Sequence, residues 1–232
     1  MKKLLSIAVA GLATSVFAVT SSTIGVTEVV TTNKSTIVAV PFTSLVDGGN
    51  ISAKDLVKTV GLPANTMMFT YVGGTFSMYL LTDGDWVAAN SASTLDGVGY
   101  GIPAGDLKLV DGSALWIVLP SAPAPGTPQK IYIYGQWKDI TSQTAAVGAN
   151  LLANPLQTVG TITITSPVTN DILVVANDSG NPERYTYSYK KSTQTFGWVK
   201  GTTFGVTLPT FAPGCGFWYL RAGGTAATIN WQ

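Results

Sequence analysis

Twelve carboxylates are the first candidates for acid–base chemistry in this sequence, and no histidine accompanies them. Glycoside hydrolysis needs two acids about 5–10 Å apart across a cleft, one with a raised pKa. The acids are Glu28, Asp47, Asp55, Asp83, Asp85, Asp96, Asp106, Asp111, Asp139, Asp171, Asp178 and Glu183. Most stand beside Gly, Asn or Ser, where aspartate makes turns by bonding its own backbone. No spacing pairs them. Without histidine there is no Ser-His-Asp triad, Cys-His dyad or His-ligated zinc. Asp83-Gly84-Asp85 sets carboxylates at alternate positions, as a calcium loop does. Such a loop needs further oxygens and a bidentate Glu, and none follows, so the segment reads as a hairpin turn. Asn177-Asp178-Ser179-Gly180-Asn181 lies between two strand-like runs and reads the same way. The sequence therefore assigns no catalytic residue, no metal ligand and no cofactor.

Two other groups have chemical potential. Cys215 is the single cysteine, so no internal disulfide or CxxC site exists. It can pair with another molecule or serve as a small buried hydrophobe, and Ser113 at the corresponding place in the first half favours burial. Tyr185, Tyr187 and Tyr189 fall on one strand face at intervals of roughly 6.8 Å. Exposed, such a comb stacks on sugar rings; covered, it supplies core area. The tryptophans Trp86, Trp116, Trp137, Trp198, Trp218 and Trp231 recur at matching places and read as structural aromatics.

These groups must be positioned by strands. Of the 232 residues 46% are hydrophobic and only 11% charged, against roughly 25% charged in an ordinary soluble domain. That content excludes a disordered chain. The net charge of +1 is too small to hold a polyanion, so no nucleic-acid partner is expected. Thr, Val, Ile and Tyr alternate with period two in Arg184–Lys190, Lys130–Tyr134 and Gly160–Thr165, which is the strand pattern. Turn signals such as Gly73-Gly74 and Gly223-Gly224 separate the runs. The expected fold is all-β, mainly antiparallel sandwich or barrel-like units in two duplicated halves. One short helix is expected near 53–60, with Ser52 as N-cap and Gly61 and Pro63 as its stop.

The chain begins like an export signal. Lys2 and Lys3 precede the apolar run Leu4 to Phe17, and Ala18 supplies the small residue before cleavage. The run is short of the ~20 residues of a membrane span, and no later stretch supplies one. The expected organisation is a signal peptide at 1–18, a first β unit at 19–137 with helical and Pro-rich insertions, a linker at 138–148 and a second β unit at 149–232. The extended segment Thr20 to Thr36 can complete its own sheet or add to a neighbour's edge.

Duplication rests on landmarks in matching order. Val38-Ala39-Val40-Pro41-Phe42 pairs with Leu151-Leu152-Ala153-Asn154-Pro155-Leu156, and Phe76 to Tyr79 before Trp86 pairs with Tyr185 to Tyr189 before Trp198. Gly112 to Trp116 pairs with Gly214 to Trp218, and Ile133 to Trp137 with Thr228 to Trp231. Together they resemble a repeat of secreted bacterial β-proteins that opens on W-N-L-x-x-P and closes on P-G-x-G-[FY]-W. The second half carries it in Asn150-Leu151-Leu152-Ala153-Asn154-Pro155 and Pro213-Gly214-Cys215-Gly216-Phe217-Trp218. The first half lacks the Asn-Leu start and the Gly-aromatic before Trp116. The resemblance implies a surface or extracellular protein and carries over no catalytic residue.

The expected function is that of an exported, non-catalytic protein with a structural, adhesive or self-assembling role at the cell surface or in the extracellular matrix. Its partners would be further copies of itself or surface glycans. The competing expectation is a carbohydrate-binding module using Tyr185, Tyr187 and Tyr189.

Overall fold

The computed structural model describes residues 24–43, 51–52, 61–72, 74–89, 108–109, 113–176 and 181–232. All its strand pairings are antiparallel, and no helix occurs among the described residues. The helix expected at 53–60 and the signal expected at 1–18 lie outside them.

The strands form antiparallel sheets set in a ring, in the manner of a small four-bladed propeller. One three-stranded sheet runs β1 (Ile24–Thr31), β10 (Gln129–Trp137), β3 (Phe42–Thr43). A five-stranded sheet runs β2 (Ser35–Ala39), β9 (Ala114–Val118), β5 (Met67–Val72), β6 (Thr75–Thr82), β7 (Asp85–Ala89). A short pair, β4 (Ile51–Ser52) and β8 (Lys108–Leu109), stands apart. The later part of the chain repeats the order. Its three-stranded sheet runs β11 (Ser142–Ala145), β19 (Ala227–Trp231), β13 (Ile162–Ile164). Its larger sheet runs β12 (Gly148–Ala153), β18 (Gly216–Arg221), β14 (Ile172–Ala176), β15 (Pro182–Lys190), β16 (Thr195–Lys200), β17 (Thr203–Phe204).

Register matches as well as order. Trp116 lies between Ile37 and Phe69, and Trp218 lies between Leu151 and Val174. Trp86 opposes Leu81 across one hairpin, and Trp198 opposes Tyr187 across the other. Trp137 opposes Phe42, and Trp231 opposes Ile162.

Two segments singled out from the sequence are placed by strand pairing. The expected linker at 138–148 contains β11, because Gln143 and Ala145 alternate inward with Ser142 and Thr144 outward and so supply a half-buried strand. The segment Thr20 to Thr36 completes its own sheet over its described part, with Ile24–Thr31 paired along β10.

Period two explains the cores. In β10 the side chains of Ile131 and Ile133 are buried while Tyr132 and Tyr134 face outward, half-buried. Each fully buried isoleucine stabilises by about 1.5–3 kcal/mol. One core joins the first two sheets through Val29, Phe42, Ile131 and Ile133 on one side and Met68, Leu81, Trp86 and Ile117 on the other. A second core joins the later sheets through Ile162, Ile229 and Trp231 on one side and Leu173, Tyr185 and Phe217 on the other.

The two larger sheets meet at their inner strands. Ala39, Ala114, Leu151 and Ala153 pack there, small enough for the backbones to approach. The Ala39 amide donates to the Gly214 carbonyl at 2.8 Å, which ties the two parts together through main chain. Val40 donates to Ser113 and Asn154 to Cys215, the same bond at matching positions. Gly216 has to be glycine, since a Cβ there would lie 2.5 Å from the Leu152 carbonyl oxygen.

Candidate functional site

The tyrosine comb lies on β15, and its three rings meet different surroundings. Tyr185 is buried at 5% exposure, part of the core, with its hydroxyl donating to Glu183. The Lys200 ammonium sits 5.4 Å from its ring centroid. Tyr185 therefore packs as core and offers no ring to a ligand, the covered alternative of the two for that residue. Tyr187 is half-buried, and Tyr189 is 43% exposed. The reason is the cover: Leu173 and Tyr219 shelter the inner end of the strand, and the hairpin runs on beyond them.

The outer end of that hairpin carries a four-ring face. Tyr187 opposes Trp198 and Tyr189 opposes Phe196, so cross-strand pairing places all four on one side. Tyr187 and Phe196 lie near parallel, 12° apart with centroids at 6.0 Å. Tyr189 leans on Phe196 at 4.9 Å. Phe196 is 56% exposed, an apolar ring in water. On the reverse face Gly197 leaves room for Phe204, whose ring would lie 3.0 Å from a Cβ at that position.

A second arrangement lies between the larger sheets. A cavity of about 440 Å³ is walled by the turn joining β1 and β2, by Trp116 on β9 and by Trp218 on β18. Both indoles are half-buried. The remaining tryptophans divide: Trp86 and Trp231 are buried, Trp137 and Trp198 half-buried. Trp231 donates through Nε1 to Gln143 at 2.9 Å. Trp137 packs edge-on to Phe42.

No protein-family model matches this chain, and neither a curated protein nor a solved structure gives a match.

Of the acids, Asp171 is wholly buried. Its Oδ2 accepts from the Tyr219 hydroxyl at 2.5 Å, from Arg221 Nη1 at 2.7 Å and from the Val168 amide at 2.9 Å. Its Oδ1 accepts from the Ala222 amide at 2.8 Å. Burial opposes its ionisation, yet those hydrogen bonds, with Tyr219 foremost, together hold its carboxyl below the usual value. Burial and the bond to Asp171 push the Tyr219 phenol up. The saturated carboxylate works as a joint between β14, β18 and the turns beside them.

Sequence reading placed Asp171 among the acids without its role. One signal pointed there. Asn65 and Asn170 each precede the third strand of a larger sheet, β5 or β14, with positive φ, 66° and 72°. Each donates to the strand-β6 or strand-β15 carbonyl opposite, Leu81 or Tyr187. The next residue is Thr66 in one case and Asp171 in the other, and both are buried. The positions of Tyr219 and Arg221 are taken in the first part by Ile117 and Leu119, also buried.

Asp83 and Gly84 both have positive φ between Thr82 and Asp85, the two-residue turn that hairpin twist prefers. Asn177 to Gly180 lie outside the described residues, but the strands on either side pair from Ala176 to Pro182. Cys215 is a free thiol, half-buried at the cavity wall, and burial pushes its pKa up. Among the described residues no group of His, Cys, Asp or Glu is arranged to hold a metal. No helix among them is long and apolar enough to cross a membrane.

Proposed function

We propose that this chain is an exported, non-catalytic adhesive protein of the cell surface or extracellular matrix, built from two copies of one β unit. The observation that carries the reading is the four-ring face of the β15–β16 hairpin. Phe196 and Tyr189 stand in solvent at the end of a two-stranded hairpin, where an exposed apolar patch marks a contact surface. Matching strand order and register in the two parts support duplication. The apolar run behind Lys2 and Lys3 supports export. The engagement of both oxygens of Asp171 supports a carboxylate spent on structure.

The occupant of that face is a second copy of the chain. Charged residues are sparse, so repulsion between copies is weak. Sedimentation velocity across a concentration series tests this. Self-association is expected for the wild-type chain, with its loss in the Tyr189→Ser, Phe196→Ser double variant. A wild-type chain that stays monomeric throughout, or a variant that associates equally well, refutes the reading.

The near-parallel Tyr187 and Phe196 rings favour a second reading, a carbohydrate-binding module acting through this face. Retention on insoluble polysaccharide, abolished in the same double variant, separates it from self-association.

A further inference from the structure

We propose that the cavity between the two larger sheets is a binding site for a small neutral saccharide, separate from the hairpin face. Three features of its walls argue for that chemistry. The first is the pair of indoles. Trp116 and Trp218 hold the same register position in their sheets, and both line the cavity. Each packs against a further ring, Trp116 on Phe69 at 5.3 Å and Trp218 on Tyr71 at 5.3 Å, which restrains its rotation. Rigid aromatic faces are what the apolar C–H surface of a pyranose packs against.

The second feature is the wall facing them. The turn between β1 and β2 and the start of β2 present Thr32, Asn33, Ser35 and Thr36 to the cavity. Hydroxyl and amide groups both donate and accept, which matches the mixed demands of sugar hydroxyls. The turn is held in shape by Thr31, whose Oγ1 accepts from the Asn33 amide at 3.1 Å. The third is charge: among the described residues no Lys, Arg, Asp or Glu lines the cavity. A phosphorylated or carboxylated ligand would find no counter-ion among these lining residues, and burying its charge unpaired is costly. The volume of about 440 Å³ lies at the small end of ligand pockets and suits one or two sugar rings.

Cys215 lines the same cavity and is the chain's single thiol, so it reports occupancy. The experiment measures the rate at which iodoacetamide alkylates Cys215 in the full chain. Glucose, galactose, mannose and N-acetylglucosamine are the probes, and glucose 6-phosphate is the charged comparison. At least one neutral sugar is expected to protect saturably with a Kd of about 1 mM. At ten times that Kd alkylation slows about eleven-fold by mass action. Ala176→Trp, at an exposed residue on the rim, fills the cavity and abolishes protection by sugar. Thr36→Val keeps shape and removes one hydroxyl, which weakens protection about five-fold. The Tyr189→Ser, Phe196→Ser variant keeps full protection, so loss of adhesion and loss of this site are told apart. The proposal is overturned if no neutral sugar protects Cys215 up to about 100 mM, well beyond useful affinity. Protection that persists in Ala176→Trp, or equal protection by glucose 6-phosphate, also overturns it.

Discussion

Removing the Asp171 carboxylate is expected to cost this protein more than the loss of any surface acid. In Asp171→Ala the Arg221 guanidinium, whose side chain is 2% exposed, loses its only buried counter-charge among the described residues. Arg221 keeps the Ser166 and Thr225 carbonyls, at 3.0 and 3.2 Å, which satisfy donors without neutralising charge. The Tyr219 hydroxyl and the amides of Val168 and Ala222 lose their acceptor as well. Breaking a buried pair from one side typically costs about 3–5 kcal/mol. For a chain of this size that lowers Tm by about 6–20 °C. Thermal and urea unfolding, followed by tryptophan emission, measure it. The molecule supplies its own control. Asp171→Thr with Tyr219→Ile and Arg221→Leu installs the residues found at the matching positions Thr66, Ile117 and Leu119. An ion pair exchanged for packed apolar side chains is often neutral or better. The triple variant is therefore expected to recover most of the loss, with strong non-additivity among the single changes. A cost below about 1 kcal/mol for Asp171→Ala would refute the reasoning, since that is the worth of an exposed pair. A triple variant less stable than the single would refute the equivalence of the two positions.

Acid should act through the same carboxylate. Its folded pKa is depressed below the ordinary value of 3.8, so its contribution is complete above that value and disappears as pH falls through the depressed one. Wild-type stability measured from pH 6 downward by urea titration should drop more steeply below about pH 4 than that of the triple variant, which carries no carboxylate there. Parallel curves would contradict the assignment. Gly216→Ala is expected to destabilise by about 1–3 kcal/mol through overpacking. Its new methyl would lie 2.5 Å from both the Leu152 carbonyl oxygen and Ile37 Cγ2, and an unchanged urea midpoint would show that the inner strands separate freely.

Much of the fold was legible along the chain because strands declare themselves locally. Alternation in Lys130–Tyr134 marked which face carries Ile131 and Ile133, and both are buried. The Asp83-Gly84 turn was legible because few residue pairs tolerate two successive positive φ values. The tryptophan landmarks, noted from order alone, occupy corresponding positions in the register. The segment 138–148 was harder. It is polar on one side, and four residues are too few for alternation to stand out, so β11 read as a linker.

What the sequence determined by itself is which residues share a face, since the side-chain period of a strand is a property of its own backbone. What covers that face is decided by residues far along the chain. Tyr185 and Tyr189 share one side of one strand, yet the first is core and the second stands in water, because β14 ends beside Thr186, between them. Asp171 meets Arg221 across 50 residues, and Trp116 faces the same cavity as Trp218 across two sheets. No local pattern encodes such meetings, which exist once long-range strand pairing has closed the ring.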